Sequence, residues 1–185
     1  MPELPEVETI RGQLEKEIVG ETVVEVWWDR PKMLRPSPEE FVKGVKGKKI
    51  TVVKRRAKLL IFQLLTSSSS HLVSSFVCHL RLSGRLFVRN VGDAPDDYVH
   101  VILKFEGGKE LRFSEMRLFG YLEYLPDQDS LEKILAKYGP EPLDDLTADK
   151  FYSILRKTAR PVKIVLLTRA SCPGWGIFMP MTPCF

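Results

Sequence analysis

Apolar residues recur at helical spacing at the start of the chain. Val7, Ile10, Leu14 and Ile18 share one face of a segment with Pro2 and Pro5 at its opening, Glu3, Glu6 and Glu8 in its first turns, and Gly20 at its close. That pattern predicts a helix over residues 2–19. After it the period falls to two. Residues 22–28, 49–55, 59–65, 71–79, 85–89, 98–105, 110–113 and 120–125 read as strands separated by Gly, Pro, Ser and Asp. The serine run Ser67 to Ser70 reads as a hairpin loop. Two further helical patterns follow at 130–138 and 148–157, divided by Gly139-Pro140-Glu141-Pro142. The expected fold class is α+β, mainly β: an amino-terminal helix on an eight-stranded antiparallel β-sandwich, followed by short helices. From Ala170 onward neither period is present, and the tail does not read as a continuation of the same fold.

Bulk properties narrow this picture only slightly. With 185 residues and 44% hydrophobic positions the chain can bury one good core, so it is neither disordered nor fibrous. The net charge of +4 and the pI near 8.9 tilt toward an anionic partner without naming it. Placement says more: Lys43, Lys46, Lys48, Lys49, Lys54, Arg55, Arg56 and Lys58 follow one another with no acidic residue between, a stripe that suits phosphates or simply a solvated face. No stretch reaches the roughly 18 to 20 apolar residues of a membrane span, and the amino terminus lacks the pattern of a signal sequence, so a cytoplasmic protein without a membrane partner is expected. Cys78, Cys172 and Cys184 form no C-x-x-C pair and support neither a disulfide framework nor a zinc site. Cys78, in an apolar run, reads as a small core residue.

The first residues carry chemistry of their own. Removal of Met1 would leave Pro2 as a free secondary amine with a pKa of about 8, against about 10.4 for lysine, and so nucleophilic at neutral pH. Such an amine attacking the anomeric carbon of a deoxyribose expels the base and leaves a charged iminium. The iminium acidifies the neighbouring carbon and permits elimination of the 3′ and then the 5′ phosphate. Glu3 is placed to protonate the ring oxygen or relay protons, and Glu6, one turn on, to hold geometry and charge. The same residues also make a good helix start, and this segment alone does not decide between the two.

The opening Met1-Pro2-Glu3-Leu4-Pro5-Glu6-Val7-Glu8-Thr9 resembles the formamidopyrimidine-DNA glycosylase family. Similar matches continue at Arg55-Arg56-Ala57-Lys58, His79-Leu80-Arg81-Leu82-Ser83-Gly84, Arg117-Leu118-Phe119-Gly120, Gly139-Pro140-Glu141-Pro142-Leu143 and Arg160-Pro161-Val162-Lys163, in the family's order and approximate spacing. Each match alone is weak; the ordered set is specific. The resemblance implies a DNA-repair glycosylase and AP lyase that excises oxidised purines from double-stranded DNA through a Pro2 Schiff base, with Glu3 and Lys58 as its other catalytic residues. It assigns Lys58 to a β-strand motif touching the phosphate beside the lesion, and Lys163 to DNA binding. Arg117 and Phe119 would fill the gap left by the everted nucleotide. Leu82 stands where methionine is usual, Tyr98 where histidine is common and Glu115 where aspartate is usual. The stretch 66–75 reads as a loop longer and more serine-rich than the family's.

By the same resemblance, residues 1–127 form the catalytic domain and 128–167 a helical linker with the start of a helix-two-turn-helix domain. The latter is expected to carry Gly-x-Gly-Asn-Ile-Tyr-Ala-Asp-Glu and, usually, a four-cysteine zinc finger. Neither appears as translated, so no cofactor is expected in these residues. A monomer is expected, able to self-associate through apolar surface on the last helices. Two other readings stay open: a non-catalytic DNA-binding remnant, and an endonuclease VIII-like enzyme for oxidised pyrimidines. An unrelated basic β-domain fits the ordered motifs least.

The tail 168–185 reads as out of frame. Joining the third base of each codon to the first two of the next forces Gly from Trp175-Gly176, Ala from Met179-Pro180 and Asp from Met181-Thr182, and the remaining wobble positions permit Gly-Asn-Ile-Tyr. The coding DNA is therefore expected to spell Gly-Asn-Ile-Tyr in the shifted frame; codons that exclude it would refute the frameshift.

Overall fold

The computed structural model describes residues 2–66, 69–141, 146–166 and 168. Helix α1 spans Leu4–Ile18. Its start is fixed by a reciprocal capping box, in which the Glu3 side chain accepts the Glu6 backbone N–H and Glu6 Oε2 accepts the Glu3 N–H at 3.1 Å. Leu4, Val7, Leu14 and Ile18 are buried along one face.

Among the described residues nine strands follow, one more than expected. They are β1 (Val23–Trp28), β2 (Leu34–Arg35), β3 (Lys48–Arg56), β4 (Leu59–Thr66), β5 (Ser69–His79), β6 (Arg85–Asn90), β7 (Val99–Phe105), β8 (Lys109–Ser114) and β9 (Tyr121–Leu125). They form a four-stranded sheet β1-β7-β8-β6 facing a five-stranded sheet β2-β9-β5-β4-β3. The extra strand is the two-residue β2, and its pairing with β9 is parallel, so the sandwich is not wholly antiparallel. The stretch expected as a long loop at 66–75 is mostly strand: Thr66 registers with Ser69, Leu64 with Ser74 and Gln63 with Ser75. Ser67 and Ser68 lie outside the described residues, and Ser69 and Ser70 belong to β5.

Helix α1 packs on β3 and β6, the edge strands of the two sheets, and so closes one flank of the sandwich. A helix the periodicity did not predict, α2 (Pro38–Val45), packs on β2 and β9. Ser37 caps it by accepting the Glu40 N–H at 3.2 Å, Pro38 sets its first turn, and Phe41, Gly44 and Val45 are buried. A side chain at Gly44 would have its Cβ 2.4 Å from the Tyr124 ring, so only glycine lets the helix approach β9 this closely.

The core between the sheets is built around Phe41, Phe62, Phe76 and Phe113, with Phe62 and Phe76 stacked at 4.3 Å. Cys78 is fully buried in this core as expected, and burial, with the nearby Glu115 charge, pushes its thiol pKa far up, leaving it unreactive. Cys172 and Cys184 lie outside the described residues. Helix α3 (Gln128–Leu135) covers the outer face of the larger sheet, where Leu131 joins Leu59, Ile61, Val77 and Leu125. Burial on both faces explains why β4 reads as a near-continuous apolar run. Helix α4 (Ala148–Arg156) buries none of its residues, and α5 (Val162–Leu166) buries Val165. No described helix is long and apolar enough to cross a membrane.

Candidate nucleic-acid interface and active site

Strand register gathers the candidate residues at one end of the sandwich. His79, the last residue of β5, pairs with Leu59 on one side and Tyr121 on the other. In the facing sheet, Ser114 at the end of β8 pairs with Arg85 and Val99. The β3–β4 turn, the loops 80–84 and 115–120, and Tyr98 therefore all leave the strands at this end. Arg55 draws the first turns of α1 to it as well, donating from Nε to Glu8 at 2.6 Å.

Pro2 is half-buried immediately before α1. Glu3 is 6% exposed, its carboxylate held by the capping box, while Glu6 is exposed and fixes the Glu3 backbone. Lys58 is not in a strand: it is the second residue of a two-residue turn between Arg56 and Leu59, half-buried. The resemblance put it in a β-strand motif, but Ala57 has φ of 53° and reverses the chain.

That turn is held by a buried carboxylate 84 residues away: Glu141 Oε2 accepts the Ala57 N–H at 2.9 Å, and Glu141 Oε1 accepts Arg55 Nη1 at 2.7 Å. The Arg55 and Glu141 side chains are 3% and 2% exposed. Burial alone would lower the Arg55 pKa, but the carboxylates of Glu8 and Glu141 raise it, so the guanidinium stays charged. The Glu8 carboxyl sits below its ordinary value, because hydrogen bonds from Arg55 and Arg11 outweigh its partial burial. Motif residues Arg55 and Glu141 thus act together. Sequence order alone gave no sign of it, and Pro142 of that motif lies outside the described residues.

The exposed loops carry the wedge candidates. Leu82, Tyr98 and Phe119 are 37%, 56% and 57% exposed, so none of the three is a core residue. Arg117 is exposed, its guanidinium 5.7 Å from the Phe119 ring. Met116 and Leu118, not singled out from the sequence, are exposed beside them. Arg81, Tyr98 and Leu118, like Ala57, have φ near +57° or just below, a conformation uncommon outside glycine, so among the described residues the left-handed non-glycine positions fall at this end.

What orders the 115–120 loop is Glu115, which is fully buried. It accepts the Arg117 N–H at 3.1 Å and the Gly120 N–H at 2.7 Å, and Ser83 Oγ donates to it from the neighbouring loop. A Cβ at Gly120 would lie 2.6 Å from Phe113 and 3.1 Å from Glu115, so the loop must close on glycine. The residue noted in the sequence only as a departure from aspartate is therefore the tie between the two wedge loops. Lys163 stands apart: it is exposed on α5 and makes no hydrogen bond or ion pair among the described residues.

The basic stripe does not form one surface. Lys48 turns inward to Ser74 and Tyr124, Arg55 is buried, and Lys43, Lys46 and Lys49 sit near the end of β3 that pairs with Thr66, away from the turn. Among the described residues no group of three or more His, Cys, Asp or Glu side chains is arranged to hold a metal ion.

The domain is a mainly β sandwich flanked by an amino-terminal helix, with acids at that helix's start and an exposed arginine–aromatic pair on a loop at one end. The family description "Formamidopyrimidine-DNA glycosylase N-terminal domain" matches residues 1–122. The chain belongs to the formamidopyrimidine-DNA glycosylase family. It is 37% identical over 181 residues to the formamidopyrimidine-DNA glycosylase of Herpetosiphon aurantiacus, and 36% identical over 180 residues to that of Bacillus subtilis. In each case 95% of this chain is covered but only 63% of the relative. Among solved structures it is similar to Lactococcus lactis Fpg in complex with DNA containing an abasic site, with a TM-score of 0.83 and 32% identity over 95% of this chain and 63% of that one. It is likewise similar to MutM in complex with DNA containing carbocyclic 8-oxo-G, with a TM-score of 0.82. The chain thus spans somewhat under two thirds of the relatives it matches.

Glu115→Ala is expected to leave the sandwich folded while releasing both wedge loops, lowering discrimination between lesion-containing and intact duplex by about 10²-fold. Competition binding with a circular-dichroism melt alongside checks this; unchanged discrimination would show that Glu115 does not order the wedge.

Proposed function

We propose that this chain carries the catalytic part of a DNA glycosylase and AP lyase that removes oxidised purines, such as 8-oxoguanine and formamidopyrimidines, from duplex DNA. The observation that supports it most is the convergence at one end of the sandwich of the pre-helical proline, the buried Glu3, the Lys58 turn and the exposed Arg117–Phe119 wedge. Relatives named for this activity, and solved relatives bound to abasic-site and 8-oxo-G DNA, support the substrate class.

The chemistry is divided among the chain's own groups. With Met1 removed, the Pro2 nitrogen attacks C1′ of the damaged nucleotide, the C1′–N bond breaks, and the base leaves with its bonding electrons and a proton. The nitrogen then loses its proton, the C1′–O4′ bond opens with O4′ taking a proton, and an iminium results. It acidifies C2′–H, a base removes that proton, and the freed electrons expel the 3′ phosphate as its C–O bond breaks, after which a second elimination releases the 5′ phosphate. Glu3, held by the start of α1, is the group nearest in sequence to the amine and serves as its proton relay, a role worth about 10² to 10⁴ in rate. Lys58 meets the phosphate beside the lesion from a turn locked by Glu141. Arg117 bonds the orphaned base while Phe119 and Leu82 unstack its neighbours, offsetting the few kcal/mol that eversion costs. Tyr98 contributes a further DNA contact at the same end, and Lys163 another from α5.

Borohydride trapping of the purified chain on an 8-oxoguanine duplex and on an abasic-site duplex, at low salt, tests this reading. A covalent adduct is expected from the wild type, none from Pro2→Gly, and a slowed yield from Glu3→Gln, which keeps an acceptor for the helix cap but cannot ionise. No adduct on either duplex from folded chain lacking Met1 would overturn it.

A further inference from the structure

Apart from Arg56, which donates to the Gly139 carbonyl, the arginines of the sandwich fall into two groups. Arg11, Arg30, Arg55, Arg89 and Arg112 each hold a carboxylate within the chain. Arg35, Arg81, Arg85 and Arg117 hold none among the described residues. Three of these four border the wedge loops, at the start of β6 or within 80–84 and 115–120. The fourth, Arg35, is distant in sequence and projects from the edge strand β2, yet it ends in the same neighbourhood. Its guanidinium carbon lies 3.9 Å from the centroid of the Tyr121 ring, and that of Arg81 lies 5.5 Å from the same ring.

We propose that Arg35 and Arg81, gathered on the ring of Tyr121, form a backbone-phosphate site that extends the DNA track beyond the catalytic end on the β2 flank. The inference rests on the DNA-glycosylase reading above and adds a contact to it.

Two cations on one ring repel each other across less than about a Debye length, and neither is ion-paired to a carboxylate among the described residues. Glu123, the register partner of Arg35, makes no ion pair with it. An aromatic face offsets part of that repulsion, but at an exposed site only by about 0.5–1 kcal/mol per cation. Stacking also orients: a guanidinium lying over a ring keeps its N–H edge free, and that planar fork fits two oxygens of one phosphate. The pair is placed rather than incidental. Tyr121 registers with His79 at the functional end. Arg81 follows in a left-handed backbone conformation, its N–H donated to His79 Nδ1 at 3.2 Å. His79 lies 5.9 Å from the Tyr121 ring, so imidazole, phenol and both guanidinium groups share one small region. Arg35 is exposed and Arg81 half-buried, an arrangement open to a strand of DNA.

The test is the salt dependence of binding by the 185-residue chain to a duplex carrying a tetrahydrofuran abasic-site analogue, followed by fluorescence anisotropy. Each phosphate neutralised contributes about −0.9 to the slope of log K against log salt. Arg35→Gln/Arg81→Gln is expected to flatten the slope by about 0.9. Tyr121→Leu should flatten it partly, whereas Tyr121→Phe, which keeps the ring, should match the wild type. Lys109→Gln, at the far end of β8, should leave it unchanged. Arg35→Gln alone, on an exposed edge strand, supplies a variant whose folding is not at stake. With it, a scan of single methylphosphonate substitutions should find a phosphate whose neutralisation weakens the wild type and not the variant. An unchanged slope in folded double variant, beside a salt-sensitive wild type, overturns this site and leaves the glycosylase reading intact. A wild type that binds duplex with no salt dependence overturns both.

Discussion

A buried guanidinium holds the functional end together. Arg55 bonds the carbonyl of Ala57 in the turn before Lys58 and also reaches Glu8 on α1 and Glu141, 47 and 86 residues away. Buried ion pairs of this kind add little net stability over a well-packed apolar substitute, because desolvating the charges consumes much of their attraction. Their value here is geometric. Removing one partner strands a buried charge at a cost of about 3–5 kcal/mol, so the arrangement is effectively all or none. The helix that follows Pro2 and the turn that holds Lys58 are thereby set against each other, which is what the proposed reaction between an amine and a sugar flanked by phosphates would require.

Around that tie the molecule separates rigid from exposed parts. The phenylalanine core and the paired strands fix where the loops begin, and Glu115 fixes how two of them run. The side chains that would meet DNA are left in solvent at unusual backbone angles. Exposed apolar and aromatic groups at loop tips cost solubility in the free protein, and their placement is explained if they enter a base stack in the bound one. The arginines divide in the same way, some neutralised within the fold and others left without a carboxylate at the end where a polyanion would lie.

Much of this was legible in the sequence, for identifiable reasons. The strand alternation of β5 to β9 and the capped helix α1 are local signals, and register then follows from keeping one face buried. Helix α2 escaped notice because its eight residues bury only Phe41, Gly44 and Val45, too few for a period, although Ser37-Pro38-Glu39-Glu40 is a proper start signal. Strand β2 is two residues long and offers no pattern at all. Lys58 was assigned to a strand motif by resemblance, although the alternation itself breaks between 55 and 59, where Ala57 turns the chain in a left-handed conformation with no glycine to announce it. The Arg55–Glu141 pair and the Arg35–Tyr121–Arg81 group depend on contacts between distant segments, and no local rule brings them together. For the candidate site, the motifs nominated the residues, while the structure supplied ties among the segments that carry them, through Glu8, Glu115 and Glu141.

The most direct measurement is the site of covalent attachment. Peptide mass spectrometry of the borohydride-trapped complex, after digestion of protein and DNA, is predicted to find the sugar remnant on the peptide Pro2 to Arg11, at the Pro2 nitrogen. A remnant on the Lys58 amine, or on any other lysine, would contradict the account.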